Sequence, residues 1–170
     1  EISPEFHIDI SSTLNFSTLV SAFIPVKFYD YRPADITLSN FSSGSANLLK
    51  LPFLDNTIKS LSCMHTLEHI GLGRYGDPID PTSDIRAMKE LERVLEVGGN
   101  LLIVVPIGKP TIQFNSQRIY SYDQVENTFS HLQVREFTLL TDDGKLIFNA
   151  DKASVDKQVY GCGCFWFVKL

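Results

Sequence analysis

With 170 residues, 44% of them hydrophobic and 21% charged, the chain has the composition of a globular protein and the length of a single domain, residues 1–170, with a sizeable core. A formal net charge of −5 and the lack of any basic run argue against a nucleic-acid partner. The longest apolar runs fall well short of a membrane span.

The opening EISPEFHIDI has neither a basic n-region nor a long apolar h-region, so no signal peptide is expected; the missing initiator Met points to processing or trimming. A first strand is predicted over residues 6–10, where His7-Ile8-Asp9-Ile10 alternates before a Ser-Ser-Thr cluster. Leu14, Phe16, Leu19, Val20 and Phe23 then recur at nearly helical spacing, with Asn15 or Ser17 as cap and Pro25 as stop. A second strand over 26–29 halts at Asp30 and Arg32-Pro33. Residues 39–45 read as a polar loop and 46–49 as a weak third strand. The fourth strand, 57–64, carries Ile58, Leu61, Cys63 and Met64.

Residues 71–84 hold three glycines and two prolines, so a loop is expected. A helix follows, from a cap at Thr82, Ser83 or Asp84 to Leu95, with Ile85, Met88, Leu91, Val94 and Leu95 as its buried face. Gly98-Gly99 is expected to close it by the left-handed glycine route. Residues 101–105 form a continuous apolar run typical of a central parallel strand. Residues 109–118 read as a loop, and Ser121 starts a short helix to about Phe129. Late strands are expected over 134–140 and 160–169, with a turn at Asp142-Asp143-Gly144-Lys145 and a mobile stretch over 149–158. Alternating strands and helices imply an α/β protein with a parallel sheet.

Three cysteines without framework spacing suggest reduced thiols in a cytoplasmic protein. Cys162 and Cys164 are i and i+2 on a strand and point the same way. They are either two small residues packing one sheet face or half of a metal or redox site.

In doubly wound sheets ligands bind at the carboxyl ends of the strands, near the switch point. That rule selects Asp9, Ser11 and Ser12 after the first strand. It selects Asp30, Tyr31 and Arg32 after the second, Asn47 and Leu48 after the third, and His65 to His69 after the fourth. Asp30 is placed to accept from both hydroxyls of a ribose. No G-x-G-x-x-G follows the first strand, which argues against a nucleotide-dependent oxidoreductase. His65, Glu68 and His69 fall at i, i+3 and i+4, so a turn of helix puts them on one side. They are candidate acid–base residues, because an unperturbed imidazole titrates near neutrality. They also have the chemistry of a divalent-ion site, although no metal is expected. The loop GLGRYGDPIDP is long enough to suggest function. It offers Arg74, Tyr75 and Asp77, and the later loop adds Lys109, Asn115, Arg118 and Tyr120. These residues either hold a substrate or pair with one another, for instance Arg74 or Arg118 with Asp77 or Asp80.

The order LPF, TLEH, amphipathic helix, VGG and LLIVVP between Asn47 and Pro106 resembles the second half of class I S-adenosylmethionine (SAM) methyltransferases. EHIGLGRYGDPIDP, RVLEVGG, VPIG and FNSQRIYS resemble, more narrowly, an uncharacterised methyltransferase-like domain family of unknown function. The resemblance implies a Rossmann-like fold whose last strand inserts antiparallel, with SAM as cofactor and a polar small molecule, such as a sugar-containing one, as substrate. It implies Asp30 on the ribose, Asn47 near the adenine amine and Leu48 packed on the ring. Asp9 and the Ser11–Ser12 backbone would face the rest of the cofactor. The sequence departs from the family's acidic-x-Gly-x-Gly pattern there, having Asp9-Ile10-Ser11-Ser12-Thr13. The alternative is a degenerate fold of this kind that binds a ligand or a protein without catalysis.

Overall fold

The computed structural model describes residues 4–170. In chain order it contains β1 (His7–Ile10), α1 (Leu14–Ser21), β2 (Val26–Asp30), β3 (Phe41–Ser45), β4 (Ile58–Met64) and a 3-10 turn at Leu67–His69. There follow α2 (Ser83–Val94), β5 (Leu95–Ile107), β6 (Thr111–Gln113), β7 (Gln117–Ile119) and α3 (Tyr122–Thr128). The chain ends with β8 (Leu132–Leu140), β9 (Leu146–Phe148), α4 (Lys152–Val155) and β10 (Gly161–Lys169). The main sheet runs β3-β2-β1-β4-β5-β10-β8-β9. Strands β1 to β5 are parallel, and β10 enters antiparallel between β5 and β8. This is the mostly parallel α/β sheet with antiparallel C-terminal strands that the sequence leads one to expect. The strand order reverses between β1 and β4, which makes their carboxyl ends the switch point.

The two faces of the sheet differ in chemistry. On one, Ile8, Ile10, Leu61, Cys63, Leu101 and Ile103 pack with Ala87, Met88 and Leu91 of α2, all at most 2% exposed. Phe129, Phe165 and Phe167 extend this core, with ring centroids 4.9 and 5.5 Å apart. On the other, His7, Asp9, Ser60 and Ser62 are buried beside α1, whose own buried residues are Ser17 and Ser21. His7 bridges Ser60 and Ser62 at 2.8 Å each, and Ser62 donates to Asp9. Burial pushes the His7 pKa down to about 4, so the ring is neutral.

Several elements differ from the sequence reading. Helix α1 turns serines inward and leaves Leu19 and Phe23 exposed, because the surface beneath it is polar. The third strand is β3, within the stretch read as a polar loop, and residues 46–49 lie beyond it. As an edge strand it buries only Phe41, so FSSGS carries no apolar signature. Ile85 is exposed and Ala87 takes its place in the α2 interface. That helix stops at Leu95 in an extended conformation. Gly98 (φ +77°) instead sits in a bulge of β5, where the pairing jumps from Ile58–Leu95 to Ser60–Asn100. Part of the predicted loop 109–118 is the β6–β7 hairpin. The stretch 149–158 contains α4, capped by Asp151 and anchored by buried Val155.

Candidate functional site

The turn after β1 is cross-linked from three sides. Ser11 N donates to Tyr29 O (2.8 Å) and Thr66 Oγ1 donates to Ser11 O (2.7 Å). Ser12 Oγ accepts from Met64 N (2.9 Å), and Ser12 N donates to Asp9 Oδ1 (3.1 Å). The turn needs one left-handed residue, and that residue is Ser11 (φ +56°). A residue bearing Cβ loses about 1–2 kcal/mol in this conformation. Thr13, at the second glycine position of the family pattern, has φ −61° and ψ 136°, so no glycine is required there.

Asp9 and Ser12 therefore build the turn and do not face the cleft. Asp9 is fully buried; burial raises its pKa, while hydrogen bonds from Ser62 and Ser12 act the other way.

The cleft opens at the carboxyl ends of β1, β2 and β4 and has a volume of about 590 Å³. It brings together Ser11, Asp30, Tyr31, Asn47, Leu48, His65 and His69 from the sequence-predicted set. Asp30 closes its own turn, with Oδ1 accepting from Arg32 N (2.7 Å). Asn47 does the same through Leu49 N (2.9 Å). Tyr31 is 74% exposed, whereas Leu48 is buried. Arg32 Nη2 reaches across to Tyr75 O at 3.2 Å and ties the end of β2 to the glycine-rich loop.

His65 also holds a left-handed backbone, φ +55°. Its Nδ1 lies 3.2 Å from Glu68 Oε1, and His69 Nε2 lies 3.8 Å from the same oxygen. His69 Nδ1 donates to Ser116 O at 2.7 Å. Glu68 is 1% exposed, and its Oε2 has no partner among the described residues. The hydrogen bond to Glu68 raises the His65 pKa above its ordinary value, against the effect of burial. The pairing leaves Nε2 as the basic nitrogen of His65, 3.7 Å from Cys162 Sγ. Among the described residues, no group of three or more His, Cys, Asp or Glu side chains is arranged to hold a metal ion.

The predicted substrate residues divide. Tyr75 and Asp77 line the cleft, but Asp77 is engaged by Gly71 N (2.8 Å) and Tyr75 N (3.1 Å). Arg74, Lys109, Asn115 and Arg118 are not among the cleft residues. Arg74 contacts Ser116 O, and Asn115 (φ +54°) forms the hairpin turn. Arg118 is 4% exposed and pairs with Asp84, not with Asp77 or Asp80. It donates to Ile70 O (2.6 Å) and Pro81 O (3.3 Å), the carbonyls that flank the loop. Tyr120 OH donates to Asp84 Oδ2 (3.0 Å). Gly71 is required within the loop: at φ +77° an added Cβ would lie 2.2 Å from Asp80 O. Sequence reasoning missed Arg86, which pairs with Asp80 (3.0 Å) at the rim, and gave Thr66 no role of its own within the stretch His65 to His69. Only the proximity of Thr66 to His65 in the chain hinted at a role.

Residues 29–134 match a family described as Caenorhabditis protein of unknown function, DUF268. The chain belongs to the DUF268 family. A 60-residue stretch is 35% identical to an uncharacterized protein of Methanocaldococcus jannaschii, covering 35% of the DUF268 chain and 21% of that protein. The chain thus matches only about a fifth of that relative's length. Among solved structures, geranyl diphosphate C-methyltransferase from Streptomyces coelicolor matches with TM-score 0.69 and 11% identity, over 98% of this chain and 72% of that one. YcgJ from Bacillus subtilis matches with TM-score 0.65 and 13% identity, over 97% and 92%. The [4+2]-cyclase SpnF matches with TM-score 0.66 and 14% identity, over 96% and 74%. The DUF268 chain has the class I methyltransferase fold. At these identities the likeness concerns the fold, and the cyclase shows that the fold serves other chemistry too.

Proposed function

We propose that this DUF268 domain binds SAM and transfers its methyl group to a polar small molecule, such as a sugar-containing one. The observation that carries the reading is the cleft at the switch point, where Ser11, Asp30 and Asn47 converge from three successive strand ends. Its volume of about 590 Å³ suits a cofactor with room for part of a substrate, since small-molecule sites span roughly 300–1,000 Å³. The Asp30 carboxylate suits a ribose diol, and the Asn47 amide has both donors and an acceptor for a purine edge. The solved geranyl diphosphate C-methyltransferase contains S-adenosyl-L-homocysteine, which supports the same cofactor class here. Bound SAM would supply an electrophilic methyl group on a sulfonium.

The chain's own contribution is alignment and proton transfer. His65 is the better-placed base, because Glu68 fixes its ring through Nδ1 and leaves Nε2 as the proton acceptor. Arg86 and Arg32 at the rim offer donors to a substrate's hydroxyls or anionic groups. Ligand binding without methyl transfer is favoured by one feature, the Cβ that Ser11 carries where the acidic-x-Gly-x-Gly pattern has glycine. Calorimetry with SAM and S-adenosylhomocysteine tests the reading. Binding is expected, and Asp30→Ala should weaken it at least tenfold. No heat at millimolar ligand removes the proposal, and unchanged affinity in Asp30→Ala removes the ribose assignment.

A further inference from the structure

Beside the cleft, at the amino end of β10, two thiols that methyl transfer does not use stand against its His65–Glu68 pair. Cys162 and Cys164 project from the same strand face and are partly buried, and both are free thiols. Cys162 Sγ is 3.7 Å from His65 Nε2, within reach for a sulfur–nitrogen hydrogen bond. The other nitrogen of that ring is held by Glu68 at 3.2 Å. Thiol, imidazole and buried carboxylate thus stand in series, the arrangement in which a base oriented by a third group activates a nucleophile. The second thiol adds a donor. Cys162 donating to a Cys164 thiolate, with the His65 imidazole nearby, brings the Cys164 pKa down to about 7 and in the same exchange raises that of Cys162, so the pair gives up a single proton near neutral pH. Their register partners on the flanking strands are not ionisable: Pro106 and Val104 on β5, Leu140 and Thr138 on β8. Cys63, by contrast, is 1% exposed and raised by burial.

We infer that Cys162 and Cys164, with His65 as base and Glu68 as its positioning residue, form a second reactive centre that adds to soft carbon electrophiles such as α,β-unsaturated carbonyl compounds. One thiol proton passes to His65 Nε2. The sulfur then forms a bond to the β-carbon while the C=C π pair moves to the α-carbon. The imidazolium returns its proton there, so a thioether forms and nothing is oxidised or reduced. This centre does not depend on SAM binding.

The test is alkylation of the full chain by iodoacetamide from pH 5.5 to 10, mapped by peptide mass. The Cys162–Cys164 peptide should react with a midpoint near 7, and at pH 7 about tenfold faster than free cysteine, whose thiol titrates near 8.5. A midpoint of 8.5 or above overturns the inference. Cys162→Ser should move the Cys164 midpoint up by at least one pH unit, and an unmoved midpoint also overturns it. With methyl vinyl ketone as probe, a thioether adduct should form on this peptide at least tenfold more slowly in His65→Asn and in Glu68→Gln. If one of these variants unfolds, the other and Cys162→Ser still decide. Equal rates in the folded variants overturn the proton relay.

Discussion

Replacing Arg118 by Met tests whether one buried guanidinium holds the glycine-rich loop. Arg118 and Asp84 are each 4% exposed, and the guanidinium serves Asp84, Ile70 O and Pro81 O. Its removal strands the Asp84 carboxylate, whose Oδ1 already has no partner among the described residues. Breaking a buried pair from one side costs about 3–5 kcal/mol. Two features point to the lower figure. Tyr120 still donates to Asp84, and Asp84 lies in the first turn of α2, where the helix dipole favours a carboxylate. A loss of about 3 kcal/mol is expected in urea denaturation at pH 7. In a domain of this size it should lower Tm by about 6–12 °C. Trypsin cleavage after Arg74 should speed up in parallel, because both ends of the loop lose their anchor. The double variant Arg118→Met/Asp84→Leu should recover most of the stability, since an apolar pair of similar volume is a fair substitute. A loss below about 1 kcal/mol for Arg118→Met, or a double variant no better than the single one, would refute the reasoning.

Two further outcomes follow from the buried polar face and the Ser11 turn. Ser11→Gly removes a left-handed cost of about 1–2 kcal/mol but adds roughly 0.4–1 kcal/mol of unfolded-chain entropy. Stability should therefore hold or rise by up to about 1.5 kcal/mol while SAM binds more tightly; weaker binding in calorimetry would count against the turn as a cofactor contact. His7 has a folded pKa of about 4, below its ordinary value of 6.5. The unfolded chain thus takes up this proton first, and stability should fall as pH drops from 6.5 towards 4. The loss approaches about 3 kcal/mol and is visible in urea melts. His7→Asn should flatten that slope, and an equally steep slope would exclude His7 as its source.

The sequence made the α2 amphipathic stripe and the buried run of β5 legible, because each repeats at the period of its own element. The carboxyl-end rule likewise found the cleft, since Ser11, Asp30, Asn47, His65 and His69 all follow strand ends. What stayed hidden depends on partners far away in the chain. Asp9 faces Ser62 and not the cleft, and nothing local to HIDISST shows that β4 brings serines beneath α1. Arg118 reads as holding a substrate or pairing with Asp77 or Asp80, because its real partners are Asp84 on α2 and two main-chain carbonyls, which carry no sequence signal. Strand β3 was misplaced because an edge position asks little of its side chains.

The position of β10 has a consequence for how the protein is made. Its nine residues, Gly161–Lys169, come after all the other strands in the chain, yet they sit between β5 and β8. On the ribosome, β5 and β8 must wait with unpaired backbone edges until residues 161–169 have emerged. Each nascent chain passes through a stage with two open, apolar strand edges, the condition under which strands join wrong neighbours. Slow synthesis of residues 149–169 would lengthen that stage, and the emergence of β10 would close it.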